Sequence, residues 1–181
     1  GSIEDLALKY VDPEKEIDSV EQAISMALDI IAERISDDAD IRKYVRDFTQ
    51  RNGILESKAA KEEASVYEMY YEYKEAVSKI VPHRVLAINR GENEKYLSVK
   101  ITLDDDKLME ELFIRVIAGP SIGQEYLKRA IVDAYDRLIA PSIEREIRNL
   151  LTEKAEEQAI KVFGENLRNL LLQPPVKGKT V

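Results

Sequence analysis

The 181-residue sequence has no cysteine and a single histidine, His83. The first absence excludes a disulfide framework, a thiolate zinc site and any cysteine nucleophile, and it fits a reducing compartment. The second leaves one imidazole for any catalytic triad, and it stands between Pro82 and Arg84. No Gly-x-Ser-x-Gly elbow, Walker loop or dinucleotide fingerprint occurs. A di-iron bundle needs Glu-x-x-His on two helices, yet the residue three before His83 is Ile80. Carboxylates at helical spacing abound, but in a chain that is 34% charged they read as solvated helix faces. These absences predict a noncatalytic chain with no cofactor and no metal.

Long apolar runs are missing too. No window approaches the roughly 18 apolar residues of a membrane span, and no basic start precedes an apolar stretch, so neither a span nor a signal peptide is read and a cytoplasmic location is expected. Clustered positive charge is scarce within a formal net charge of −8. Residues 1–82 carry 11 basic and 19 acidic groups, and residues 101–181 carry 12 and 14. Only residues 83–100, with 4 and 2, and the tail bearing Lys177 and Lys179 are locally basic. Nucleic-acid affinity rests largely on clustered Lys and Arg, so weak or absent binding is expected unless folding gathers these residues on one face.

What is present is mostly amphipathic helix. Ser19 to Gln22 forms a capping box ahead of a stripe through Ala23, Ala27, Ile30, Ile31 and Arg34, which the pattern predicts to be buried. Asp38 recaps a helix through Ile41, Tyr44, Val45 and Phe48, ended by Asn52-Gly53 with Gly53 in a left-handed cap. This pair is a packing hairpin or, less in keeping with its acidic first turn, a helix-turn-helix. Four of nine tyrosines fall at Tyr67, Tyr70, Tyr71 and Tyr73. Interleaved glutamates favour core or interdomain packing for them over base stacking.

Tyr96 to Leu103 alternates as a strand, and one or two short strands are expected near 96–103. Asp104, Asp105 and Asp106 open the next helix, and with no Gly or Glu at calcium-loop spacing they read as a solvated turn. Ser121 to Gln124 is a second capping box, Pro141 kinks or restarts its helix, and a stripe from Ile143 to Leu171 makes a strut roughly 45 Å long at ~1.5 Å per residue. The fold class is therefore mainly α, a multi-helix domain with one or two short strands and a long C-terminal helix.

Gly1-Ser2 ahead of Ile3 predicts a tag scar on an excised piece. Residues 3–80 are expected to form a helical subdomain, 81–173 a helix-strand-helix and long-helix subdomain, and 174–181 a linker into a further domain.

The residues Pro82-His83-Arg84, Leu86-Ala87 and Arg90-Gly91 with Glu94 resemble the "SHR-x-LA-x-x-RG-x-x-E" signature of the bacterial transcription accessory protein Tex family. Residues 27–47, 69–75 and 153–181 are similar to that family's helical segment, its aromatic approach to the signature and the helix entering its ribonuclease-H-like domain. Position 82 departs from the family's usual Ser, so a hydroxyl cap is missing. The resemblance implies a central helical region of a nucleic-acid-binding protein related to a eukaryotic elongation factor, with most RNA binding in an absent OB-fold domain. It implies a noncatalytic scaffold supporting RNA or DNA binding and transcription regulation. A module docking transcription or translation machinery through acidic faces is the alternative. The expected partners are other domains of the parent chain, and RNA or DNA in the full-length protein. The expected contact residues are His83, Arg84, Arg90, Gly91, Lys95, Lys177 and Lys179. Arg84 and Arg90 can fork onto carboxylates, as an architectural joint, or onto phosphates, while Gly91 ends the helix between Pro82 and itself.

Overall fold

The computed structural model describes residues 19–175. Gly1-Ser2, Lys177 and Lys179 lie outside the described residues. In chain order the elements are α1 (Val20–Asp37), α2 (Ala39–Asn52), β1 (Ile54–Ala59), β2 (Glu72–Ala76), α3 (Pro82–Asn93), β3 (Leu97–Thr102), α4 (Asp106–Val116), α5 (Gln124–Asp133), a π-helical turn (Ala134–Ile139) and α6 (Ala140–Leu172). The chain is mainly helical with a long C-terminal helix. It divides into two compact units that it enters by turns. The first takes described residues up to 54, then 76–78 and 101–147; the second takes 55–75, 79–100 and 148 onward.

In the first unit the cap residues do what their chemistry dictates. The Ser19 hydroxyl accepts the Gln22 N–H at 3.2 Å to start α1, and Asp38 Oδ1 accepts the N–H groups of Asp40 and Ile41 at 2.9 Å to start α2. Ala23, Ala32 and Ile35 of α1 are buried, and α1 packs on α5 and the π turn. Ala27, Ile30 and Arg34, expected on the buried stripe, are exposed, Ile30 by 53%: the stripe is wider than the surface that covers it. Gly53 is not left-handed either, with φ −66°. It is glycine because a Cβ there would stand 2.5 Å from the Thr49 carbonyl oxygen. The second capping box does not form; α5 is capped at Gly123, and the Gln124 N–H goes to the Ser121 carbonyl rather than to its hydroxyl.

Pro141 does not restart the helix. It lacks an N–H and its ring crowds the carbonyl one turn back, and the helix responds by widening to a π turn in which the Ala140 N–H bonds the Tyr135 carbonyl five residues earlier. Ile139, Ile143 and Ile147 stay buried on either side of this turn.

The second unit is built on a sheet of order β2-β1-β3. Ala59 N–H bonds Tyr71 O and Val77 N–H bonds Gly53 O, while Ala60 N–H bonds Tyr96 O and the Thr102 hydroxyl reaches Ile54 O. Indices rise on one strand as they fall on its partner, so both pairs are antiparallel. β3 is the strand expected near 96–103. β1 and β2 lie within residues 3–80, where the pattern predicts helices alone, because their sequences ILESKA and EYKEA put charges where an alternating apolar signal would sit. Tyr67 and Tyr70 are buried, as core packing requires. No helix among the described residues is long and apolar enough to cross a membrane.

Candidate nucleic-acid interface

α3 begins with Pro82 at its first turn and Val81 as an uncapped N-cap, the consequence of having no hydroxyl there. His83 is exposed at this end. Arg84 is engaged: its Nη1 donates to both carboxylate oxygens of Glu75, at 3.1 and 3.2 Å. The Tyr73 hydroxyl donates to the same carboxylate. Arg84's own hydrogen bond to Glu75, then the neighbouring Tyr73, raises the Arg84 pKa further, while burial and then Glu75 push the Tyr73 hydroxyl up. The triad keeps Arg84 charged and aimed at a carboxylate.

Gly91 does not end α3, which runs on to Asn93. The left-handed residue is Lys95, with φ 63°. Gly91 is required by close approach instead: a Cβ would stand 2.5 Å from Leu97 Cδ1 and 3.1 Å from the Tyr67 ring. Tyr67 packs against Tyr96 with ring centroids 5.8 Å apart, and the Lys61 ammonium sits 5.0 Å over the Tyr96 ring. Burial, then a hydrogen bond to Glu94, raises the Tyr67 pKa. Arg90 and Lys95 are exposed. His83, Arg84, Arg90, Gly91 and Lys95 thus share α3 and the turn that follows it, with Arg84 committed to Glu75.

Two groupings escaped the sequence reading. Opposite Glu56 on β1 stand Lys74 on β2 and Lys100 on β3, and Lys58 follows two residues on along the same face. Lys58 Nζ is 2.9 Å and Lys74 Nζ 3.6 Å from Glu56 Oε1, whose side chain is only 7% exposed. The Lys58 hydrogen bond, aided by charge from Lys58, Lys74 and Lys100, holds the Glu56 carboxyl below its usual range. Three lysines around one covered carboxylate leave positive charge facing out; on the edge strands such lysines also deter sheet-edge pairing. The alternation of Ser98, Lys100 and Thr102 was the available signal, but it needed β1 and β2 beside it. The second grouping is Arg148, whose Nη2 donates to Glu92 Oε2 at 2.5 Å and Asn89 Oδ1 at 3.1 Å, while Asn89 donates to the Thr152 hydroxyl at 2.8 Å. It ties α3 to α6. Among the described residues no group of three or more His, Asp or Glu stands close enough to hold a metal ion.

Residues 2–163 match the family described as Tex central region-like. The chain is 52% identical over 178 residues to the uncharacterized protein YdcI of Bacillus subtilis, covering 96% of this chain and 25% of that protein. It is 31% identical to S1 RNA-binding domain-containing protein 1 of Homo sapiens, over 96% of this chain and 19% of that one. It is 28% identical to Protein tex of Bordetella pertussis, over 97% and 24% respectively. The chain spans a quarter or less of each of these relatives.

Proposed function

The chain belongs to the Tex central region-like family, and from that premise we propose that it is a noncatalytic scaffold region of a transcription accessory protein. In this reading it positions other domains and supports their grip on RNA or DNA. The supporting observation is the second half of α6. Every residue from 156 to 172 is exposed, and Ile160, Phe163, Leu170, Leu171 and Leu172 are uncovered apolar side chains. A solvated helix with that many bare apolar groups needs another protein surface. Relatives about four times longer than this region have the chain to supply one. In a longer chain carrying this region, Phe163→Glu with Leu167→Glu should loosen interdomain packing, read as a split thermal transition, and leave the circular dichroism of the 181-residue protein unchanged. A single unshifted transition would remove the scaffold reading.

The nucleic-acid part of the proposal rests on the exposed Lys58, Lys74, Lys100, Arg90 and Lys95, and on a relative named for its RNA-binding domain. Fluorescence anisotropy with single-stranded RNA and duplex DNA at about 50 and 200 mM salt is the test. Binding that falls steeply with salt and is weakened by Lys58→Ala/Lys74→Ala/Lys100→Ala supports a direct contact. No binding at either salt would leave the region as scaffold alone, with the alternative of a protein-docking module tested by the α6 variant.

A further inference from the structure

The first unit contains a cavity of about 280 Å³ that none of the preceding roles uses. At about 30 Å³ for each liquid water, it is far larger than one solvent molecule needs. It approaches the small end of ligand pockets, roughly 300 Å³. Its wall includes Asp105, Asp136 and Glu144, and no Lys or Arg lines it. Each carboxylate has a reason to be free. Asp105 occupies the N-cap of α4 but makes no side-chain cap bond, Asp136 is exposed, and Glu144 uses Oε1 for the Ile101 N–H at 2.9 Å and keeps its other oxygen.

An independent observation points into the same space. Tyr135 lines the cavity and is 4% exposed, and no side chain among the described residues hydrogen-bonds its hydroxyl. That hydroxyl keeps contact with solvent in the cavity, since among the described residues Ser57 Oγ is the fully buried side-chain atom without a partner, so a polar group of a ligand can replace solvent there. It owes its position to the π turn forced by Pro141, since the widened backbone runs from Tyr135 O to Ala140 N–H, and both residues line the cavity. Burial, followed by the charges of Asp105 and Asp136, pushes this tyrosine up to about 12, so at neutral pH it is a neutral donor and acceptor inside a negative field. Val45 and Ile143 give the cavity apolar lining.

A bare metal ion does not fit this arrangement, because the carboxylates do not converge on one point. A long cation with an apolar stem does. We propose that this cavity binds an alkylguanidinium or alkylammonium group, its stem against Val45 and Ile143 and its head between Asp105, Asp136 and the Tyr135 hydroxyl. The group can come from a diffusible amine or from an arginine or lysine side chain of a polypeptide.

The test is NMR titration of the 181-residue protein with two probes, agmatine for the diffusible source and acetyl-Gly-Arg-Gly-amide for the side-chain source. Saturable shifts at cavity residues, with a dissociation constant on the order of 1 mM or tighter, are expected. Asp105→Asn and Asp136→Asn should each weaken binding about fivefold to tenfold, and Tyr135→Phe, which keeps the packing, about threefold. Asp105→Asn removes no cap bond, so its fold is expected to be intact by circular dichroism. Glu110→Gln, an exposed carboxylate on α4 outside the cavity, should bind as the parent does. Equal affinity for both probes assigns a diffusible amine, and a peptide preference of tenfold or more assigns a side chain. The proposal is overturned if neither probe saturates, or if Glu110→Gln weakens binding as much as the cavity variants do.

Discussion

Along α6, Ile143, Ile147 and Ala155 are each 1% exposed, whereas Phe163, Leu170 and Leu171 are 69%, 65% and 78% exposed. The apolar spacing that produces both sets is continuous from Ile143 to Leu171. A helical stripe states that a face must be covered, but not by what, and the two ends of this helix separate those meanings. The first end is covered by the chain itself, which makes it fold. The second is left bare, which makes it a surface for something else.

The largest test of the contrast is truncation. Ile143→Ala and Ile147→Ala remove fully buried groups and should each cost about 2–5 kcal/mol by denaturant melts, with little change in slope. Leu170→Ala and Leu171→Ala remove as much carbon from exposed positions and should stay within about 0.5 kcal/mol. Comparable losses at both ends would mean that the bare end is covered within this chain.

Two glycines sharpen the same comparison at smaller scale. At Gly91 an added methyl meets Leu97 and the Tyr67 ring, so Gly91→Ala should destabilise by about 1–3 kcal/mol. At Gly164, inside the bare half of α6, nothing lies within 4 Å. There Gly164→Ala relieves a helix interior of its least favourable ordinary residue and should stabilise by about 0.5–1 kcal/mol. Thermal melts of the two variants moving in the same direction would contradict the packing described for α3.

These pairs also mark how much was legible beforehand. Periodicity and caps located α1, α2, β3 and α6, because each is a local signal: a Ser or Asp that can reach an N–H, or an apolar spacing fixed by the helix pitch. The roles of Gly53 and Gly91, and the form that the helix takes at Pro141, escape the local pattern for one reason. Their roles are set by neighbours distant in sequence or by a backbone adjustment, such as the π turn, that local propensity does not encode. The basic joint was seen as a cluster in sequence, and Arg84 and Arg90 do lie on one helix. Arg84's partner Glu75 and the lysine face around Glu56 depend on strand register, which a charged strand conceals. Arg148 was invisible among other arginines until α6 brought it to Glu92.

The smallest expected effect is electrostatic and belongs to the covered end of α6. Glu146 accepts from Arg46 Nε at 2.7 Å and from Arg42 Nη2 at 3.2 Å, and the Arg46 hydrogen bond, opposed by burial and reinforced by Arg42, holds its carboxyl below the usual 4.5. In the unfolded chain the group takes up its proton first as pH falls, so the native state is the one penalised by acid. The contribution is complete above about 4.5 and is lost as pH drops through the lower folded value. The pair is about a third exposed, which limits it to about 1 kcal/mol or less. Glu146→Gln should therefore lower stability near neutrality by about 1 kcal/mol or less and converge on the parent as pH drops through the folded value, which flattens the acid limb of the stability curve. Arg46→Gln should do the same, and the double variant should add little beyond either single one. An acid limb unchanged in Glu146→Gln would show that this carboxylate titrates alike in the folded and unfolded chains, and that the covered end of α6 is held by its isoleucines alone.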